Sequence, residues 1–168
     1  MPVILPVKNI SPSWGNDCFI APNATIVGDV EIGDNCSIWF NAVIRGDVHY
    51  IKIGNNTNIQ DGACIHCTYM YAPTHIGNNV SIGHNALVHG CTLKDNVLIG
   101  MGAIVMDHAI VEEYVIIAAG SVVLEKTIGD RDRAALLASL HQQLGRREVG
   151  IGAFPPGARW FRQKVLLN

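Results

Sequence analysis

An apolar residue recurs at every sixth position along most of this chain, and this spacing rules out the common folds. A small side chain follows most of these apolar residues by four positions. A strict period of six would put apolar residues on many sides of a helix of about 3.6 residues per turn, and it differs from the period of two in the strands of a β-sandwich. The repeat comprises Ile20, Ile26, Ile32, Ile38, Ile44, Ile53, Ile59, Ile65, Ile76, Ile82, Val88, Leu93, Ile99, Val105, Val111, Ile117 and Val123.

Turn-forming residues separate the apolar positions, as in the "IGNN" segments at 53–56 and 76–79. Gly and Asn reach left-handed backbone conformations at low cost, so a corner can occur in every hexapeptide. We therefore predict an all-β fold, a left-handed parallel β-helix in which three hexapeptides form one triangular coil. About six coils would stack at the strand spacing of about 4.8 Å, each burying its apolar residues.

The repeat stops near residue 128, and the remaining sequence has a different pattern. We predict a β-helix domain over 1–128 and a C-terminal α-helix and tail over 129–168. The helix would span residues 130–148 and cover the open end of the stack. Its apolar face would comprise Leu137, Leu140 and Leu144.

Composition excludes several partners. The chain has 168 residues, a formal net charge of −2 and only 15% charged residues, so a nucleic acid is an unexpected partner. No apolar segment approaches the length of a membrane span, and the N-terminus lacks the pattern of a signal peptide. We expect no membrane association and a cytoplasmic location. The odd number of cysteines, five, argues against a disulfide framework.

Three breaks in the repeat, within 44–53, 65–76 and 88–93, are expected at corners, where loops can leave the stack. Carrying the three faces of the coil through these breaks puts three polar residues directly after inward residues of the third face. They form one column with neighbours about 5 Å apart. The column comprises Arg45, His66 and His89.

A third histidine, His84, belongs to a different face. It follows the inward residue of the second face by two positions, and Asp61 lies one coil before it in the same position. A corner of the triangle separates His84 from His66 and His89 of its own chain. A threefold assembly would bring the third face of one subunit against the second face of the next, so a neighbouring subunit can supply His84.

The segments "NAVIRGDVHYIKIG", "TNIQDGACIH", "SIGHNALVHGC" and "LIGMGAIVMD" resemble the γ-class carbonic anhydrase family, including its bacterial subgroup of carnitine- and phenylacetate-operon proteins. The resemblance runs from Pro6 to Val123 and implies a homotrimer. It also implies that a divalent metal, usually zinc and sometimes iron or cobalt, is bound at each subunit interface. The implied ligands are His66 and His89 of one chain and His84 of its neighbour.

The same resemblance implies the reaction and the supporting residues. Three neutral imidazoles leave one metal position open, and the metal can lower the pKa of bound water to about 7. The resulting hydroxide would hydrate carbon dioxide to bicarbonate. Gln60 is implied to touch the metal-bound solvent or the substrate. Arg45, Asp47 and Asp61 are implied to form an ion network at the interface, although an ordinary interface salt bridge is an equal alternative for Arg45 and Asp47.

Two departures from the family pattern predict weak activity. A family glutamate that helps to move the product proton is replaced by Val48, and the loop 68–73 has no carboxylate. Slow proton export can limit turnover, so hydration should depend on buffer, with His75, Tyr69 or Tyr71 assisting.

Other functions stay open at this point. A hexapeptide acyltransferase would use one histidine as a general base and coenzyme A as the donor. A metal-stabilised trimeric scaffold without activity and a metal-dependent thioesterase are further alternatives. A zinc–thiolate site at Cys64 and Cys67 is less favoured, and Cys67 is expected to be the more exposed of the two. The histidines expected to have ordinary surface or core roles are His49, His75, His108 and His141.

Overall fold

A computed structural model describes residues 1–130 and the backbone of residues 151–153. The described part is an all-β, left-handed parallel β-solenoid of about seven turns, which confirms the predicted fold class. Its strands are β1 (Val3–Leu5), β2 (Ser13–Trp14), β3 (Phe19–Ile20), β4 (Thr25–Ile32), β5 (Ser37–Ile38), β6 (Val43–Ile53), β7 (Asn58–Ile59), β8 (Cys64–His66), β9 (Thr74–Ile76), β10 (Ser81–Ile82), β11 (Leu87–His89), β12 (Thr92–Leu93), β13 (Leu98–Ile99), β14 (Ile104–Val105), β15 (Ile110–Val111), β16 (Val115–Ile117), β17 (Val122–Val123), β18 (Ile128–Gly129) and β19 (Ile151–Ala153).

The strands form two sheets, which together make the three faces. The second face is a seven-stranded sheet in the order β19-β16-β13-β10-β7-β5-β3. The first and third faces belong to one 12-stranded sheet, because β4 and β6 continue around the corner between them. Strand β8 therefore pairs with the first half of β6 on the third face, and β9 pairs with the second half of β6 on the first face.

The predicted register is confirmed on each face. Ile44 pairs with Ile65, which in turn pairs with Val88 on the third face. On the second face Ile59 pairs with Ile82. From Ile26 to Val123 every apolar residue of the repeat is at most 5% exposed, so the six-residue period does define the core. Full burial of each such side chain contributes about 1.5–3 kcal/mol to folding.

A ladder of side chains lines the corner between the first and second faces. The backbone N–H of Asp34 donates to Asn55 Oδ1 at 2.7 Å, that of Asn55 to Asn78 Oδ1 at 2.8 Å, and that of Asn78 to Asp95 Oδ1 at 2.8 Å. We call Asp34, Asn55, Asn78 and Asp95 the corner ladder. At Gly54 an added Cβ would lie 2.7 Å from the Gly77 backbone, so this corner leaves no room for a side chain there.

The structure has one coil more than the sequence predicted, at the N-terminus. Ile4 pairs with Ile26, and Trp14 pairs with Ile32, so β1 and β2 begin the stack. A turn in which the backbone groups of Val7 and Ile10 bond to each other lengthens the spacing within this coil. The turn conceals the coil from a search for a six-residue period.

At the other end, β18 continues the first face to Gly129, one residue beyond the predicted domain boundary. Strand β19 pairs antiparallel with β16 at the end of the second face. The predicted helix over 130–148 lies outside the described residues, apart from its first position. Within the described ranges no helix is long and apolar enough to cross a membrane.

Candidate metal centre

Two stacked histidines form the centre of the site. His66 ends β8 and His89 ends β11, and the two residues are register partners in neighbouring parallel strands. Their ring centroids are 5.0 Å apart, and His66 Nδ1 lies 3.0 Å from His89 Nε2. The side chains are 16% and 29% exposed. Stacking of coils therefore brings together two ligand-type residues that are 23 positions apart, as the repeat predicted.

A carboxylate holds the outer nitrogen of each ring. His66 Nε2 is 3.0 Å from Asp47 Oδ1, and His89 Nδ1 is 2.6 Å from Asp107 Oδ1. In neutral rings whose outer nitrogens donate hydrogen bonds to these carboxylates, the inner nitrogens are lone-pair acceptors. Carboxylate support of the outer nitrogen is the arrangement usual for metal-binding histidines.

A cation between or beside the inner nitrogens would satisfy both of them. Two lone pairs that face each other at 3.0 Å repel, and a metal ion bound to both would remove this repulsion. At Zn–N distances of about 2.0 Å, two nitrogens on one tetrahedral zinc lie about 3.3 Å apart, close to the separation found. Burial is the main reason that the pKa of His66 is lowered, so its ring stays neutral and available as a ligand. The residues present thus fit a divalent metal.

Arg45 adds positive charge next to this pair. Its Nη1 lies 2.5 Å from Asp47 Oδ2, and its side chain is 45% exposed in the single chain. Burial alone would raise the pKa of Asp47, but hydrogen bonds from His66 and Arg45 outweigh burial and lower it. Asp47 is therefore an ionised bridge between the guanidinium and the imidazole.

Three further residues support the pair and were not found in the sequence. Thr68 Oγ1 donates to Asp107 Oδ2 at 2.6 Å, which fixes the carboxylate that orients His89. Thr74 is fully buried, and its hydroxyl donates to the His66 carbonyl at 2.5 Å and accepts from the Gly90 N–H at 2.9 Å. Asp107 ends the family-like segment "LIGMGAIVMD", which was a usable signal. Thr68 lies in a loop and Thr74 directly follows it, and the sequence contains no signal that points to either residue.

His84 lies apart from the pair in the single chain. Its Nδ1 is 3.0 Å from Asp61 Oδ2, and both side chains are more than 40% exposed. Among the described residues of one chain, no three His, Cys, Asp or Glu side chains are close enough to hold a metal ion. Gln60 is half-buried and continues the second face through its backbone, donating to the Ile82 carbonyl at 2.9 Å. Roles for His84, Asp61 and Gln60 in a shared site stay predictions.

Comparisons with known families agree with this architecture. The family of bacterial transferase hexapeptides (six repeats) matches residues 15–46 and 90–125, and the hexapeptide repeat of succinyl-transferase matches 73–106. Gamma carbonic anhydrase 2, mitochondrial, from Arabidopsis thaliana is 43% identical over 129 residues, which cover 74% of this chain and 46% of that protein. The chain belongs to the γ-carbonic anhydrase-like family of hexapeptide-repeat proteins.

Two further proteins have a comparable sequence identity to this chain. A carbonic anhydrase from Geobacillus kaustophilus is 45% identical over 111 residues, which cover 66% of this chain and 60% of that protein. A solved structure of a hexapeptide transferase family protein from Anaplasma phagocytophilum is 48% identical with a TM-score of 0.72, covering 75% of this chain and 74% of that one. The chain spans about half the length of the first curated relatives that it matches.

The cysteines near the site of this family member do not favour a thiolate centre. Cys64 is half-buried, whereas Cys67 is fully buried and its Sγ donates to the His49 carbonyl at 3.1 Å. Burial raises the pKa of both thiols. The expectation that Cys67 is the more exposed is wrong, because its side chain packs beneath the His49 backbone in the segment inserted between Ile44 and Ile53.

Proposed function

We propose that this protein is a metal-dependent enzyme that hydrates carbon dioxide to bicarbonate at sites shared between adjacent subunits of a homotrimer. The observation that carries the proposal is the facing pair of inner nitrogens on His66 and His89, each ring fixed from outside by a carboxylate. Two relatives whose names state carbonic anhydrase support the choice of reaction.

The ligand set would be completed across the subunit interface. His66 and His89 would bind the metal together with His84 of the partner subunit, and zinc suits three imidazole ligands, with iron or cobalt as alternatives. When bound, the ion lowers the pKa of water and so supplies a nucleophile near neutral pH. Asp47 and Asp107 keep the two rings in the ligand tautomer, and Gln60 would orient the attacking water or carbon dioxide.

Exposure of charged residues on two faces supports the shared site. Arg45 extends from the third face with 45% of its side chain exposed, while Asp61 and His84 are 42% and 47% exposed on the second. Packing the third face of one subunit against the second face of the next would pair Arg45 with Asp61 of the partner subunit. This ion network would set the distance between the ligands from the two chains.

Proton release would limit the turnover. Val48 packs against the hydrophobic core and cannot carry a proton, and the loop 68–73 has no carboxylate of its own. Each hydration event releases one proton, so an exit must exist for the cycle to repeat. We expect slow hydration at low buffer concentration and faster hydration at high concentration.

The test combines metal content with hydration. Protein purified without chelator should contain about one divalent ion per chain, and stopped-flow hydration of carbon dioxide should disappear on metal removal and return on restoration. His66→Ala should lose both, whereas His75→Ala, which removes a histidine outside the pair, should retain the metal. Metal without hydration would favour the scaffold or the thioesterase, and absence of metal would contradict the proposal.

Mixed subunits test whether the site is shared. His66→Ala and His84→Ala chains should each be inactive alone, because each removes one ligand from every site. A trimer containing both kinds of chain retains an intact interface, with His66 and His89 from one chain and His84 from the other. Refolding the two together should restore part of the activity, and a site within one chain would give no restoration.

A hexapeptide acyltransferase is the second candidate, because both family models that match are described by transferases. Such an enzyme would need one histidine as a general base and no metal. The paired histidines with two carboxylates exceed that requirement. Coenzyme A should leave the hydrogen exchange of this protein unchanged, and specific protection by coenzyme A would favour the acyltransferase.

A further inference from the structure

The loop inserted after His66 is fixed to later coils of the β-helix. A backbone bridge between Thr68 and Ala72 closes it into a tight hairpin. The Thr68 hydroxyl holds Asp107, and two tyrosines, Tyr69 and Tyr71, extend from the hairpin with 61% and 50% of their surfaces exposed. One end of the loop therefore supports the metal centre through Asp107, and its aromatic side chains lie at the surface.

Tyr71 joins two titratable residues from different coils. Its ring meets the His108 ring edge to face, with the centroids 4.4 Å apart and an interplanar angle of 87°. Its hydroxyl donates to Glu125 Oε1 at 3.2 Å, across 54 positions of sequence. Lys126 Nζ lies 2.9 Å from the same Glu125 oxygen. We call Tyr71, His108 and Glu125 the surface relay.

The surface relay begins next to the metal centre. His108 directly follows Asp107, the carboxylate that holds His89 at 2.6 Å. Tyr71 lies three residues after Thr68, which holds the other oxygen of the same carboxylate. The backbone N–H of His108 also donates to the carbonyl of Gly90, the residue after His89, at 2.7 Å, so the relay lies at the same corner as the end of the histidine strand.

The chemistry of this group suits proton transfer. Imidazole exchanges protons at neutral pH, and a neighbouring carboxylate stabilises its protonated form. The hydrogen bond from Lys126, followed by that from Tyr71, lowers the pKa of Glu125, which therefore stays ionised. Lys126 places a positive charge next to Glu125. The loop contains no carboxylate of its own, and the hydrogen bonds of Thr68 and Tyr71 join it to those of Asp107 and Glu125.

We propose that Tyr71, His108 and Glu125 form the exit through which the product proton leaves the site. The proposal rests on the hydration reaction proposed above, in which carbon dioxide and water give bicarbonate and one proton. Water carries the proton to His108, whose ring packs against Tyr71, the carboxylate of Glu125 that Tyr71 holds supplies negative charge nearby, and solvent buffer removes the proton. Glu125 thus replaces the carboxylate that the loop lacks, and His108 is more than an ordinary surface residue.

The chain offers matched variants for the test. Glu125→Gln and Tyr71→Phe remove the charge and the hydroxyl while keeping the size of each side chain. His108→Asn keeps the left-handed backbone at this position, where φ is 56°, because asparagine adopts that conformation at low cost. Glu31→Gln is the control, since it removes an exposed carboxylate that pairs with Lys52 at 3.3 Å, as Glu125 pairs with Lys126 at 2.9 Å.

Two kinetic measurements separate the relay from the chemical step. Exchange of ¹⁸O between carbon dioxide and bicarbonate at equilibrium reports the hydration step, and stopped-flow turnover at low buffer concentration includes proton release. The three relay variants should keep the exchange rate and lose about tenfold in low-buffer turnover. This is less than the loss of 10²–10⁴-fold typical of a positioned acid–base group, because water can bypass an exposed exit. Imidazole buffer should restore turnover, and Glu31→Gln should match the wild type.

An NMR comparison at one pH supplies a readout independent of activity. The imidazole ring signals of His108 should shift in Glu125→Gln, because Glu125 holds the Tyr71 side chain whose ring packs on His108, and should stay in place in Glu31→Gln. Unchanged low-buffer turnover in all three relay variants, with wild-type exchange present, would overturn the relay alone. Absence of exchange in metal-loaded wild type would overturn the hydration reaction and the relay with it.

Discussion

Two columns of stacked polar side chains run along this β-helix, and they differ in how their hydrogen bonds are satisfied. In the corner ladder each side-chain oxygen accepts a backbone N–H from the preceding coil, as Asn78 does from Asn55 at 2.8 Å. In the histidine pair, two acceptor nitrogens of His66 and His89 face each other at 3.0 Å. Stacking alone therefore gives stability in the first column. In the second column it leaves two ring nitrogens that a cation would satisfy, because the carboxylates fix the outer nitrogens.

The largest expected effect comes from removing a member of the pair. His66→Ala and His89→Ala should each abolish metal binding, because two ligands hold a divalent ion far less firmly than three. Metal content by atomic spectroscopy measures this loss. The metal-free variants should fold as well as the metal-free wild type, since they no longer contain the facing lone pairs. Retention of one metal per chain in either variant would contradict the ligand assignment.

Removing the support of a ligand should have a smaller effect on the same column. Asp107→Asn should weaken metal affinity by about 10–100-fold, because the amide no longer accepts as strongly from His89 Nδ1 and the ring loses its fixed orientation. Competition with a chelator gives the affinity. Asp95→Asn, the matching change in the corner ladder, should leave metal affinity unchanged. Equal losses in both variants would show that the effect is not specific to the histidine pair.

Truncating a side chain of the corner ladder should lower the stability of the protein and leave metal binding unchanged. Asn78→Ala removes the acceptor for the Asn55 N–H and a donor to Asp95 at 3.1 Å, and should lower the free energy of unfolding by about 1–2 kcal/mol. Denaturant unfolding measures the change, with Lys94→Ala at the same corner as the control. A stability equal to that of the control would mean that solvent replaces the ladder without cost.

Acidification should affect the stability contributions of the two columns differently in the metal-free protein. Burial lowers the pKa of His66 in the folded state below its usual value of about 6.5. Its contribution to stability is therefore fully present above the unfolded pKa and is lost as the pH falls through the folded value. Wild type should lose stability relative to His66→Ala on acidification below about pH 6.5. Parallel stability profiles for the two proteins would contradict this assignment.

The smallest effect is expected where the corner pattern is interrupted. The equivalent corner residues Asn56, Asn79 and Asn96 have φ values of 54–59°, whereas Tyr114 occupies the next coil with φ of 61°. Asparagine tolerates this conformation better than tyrosine, so Tyr114→Asn should raise the free energy of unfolding by less than about 1 kcal/mol. Tyr114 makes an interaction of its own, which limits the gain. The reverse change, Asn96→Tyr, should destabilise the protein.

The sequence predicted the repeating part of the site and missed the part contributed by loops. Pairing of His66 with His89 follows from counting hexapeptides, because the stack preserves register through its insertions. The hydrogen bonds of Thr68 to Asp107 and of Tyr71 to Glu125 depend on where an inserted hairpin folds back, and the repeat contains no information on that. The cytoplasmic location, the metal and the trimer stay predictions.

The sequence by itself determined the β-helix, its faces and the column that contains the histidine pair. A period of six with turn formers at every corner permits one economical way of burying the apolar residues, and the register then follows. Only the tertiary structure decided which carboxylates hold His66 and His89, that Cys67 is buried, and that Glu125 reaches the inserted loop. These contacts join residues whose spacing obeys no period, so they exist only once the coils have stacked and the loops have closed over them.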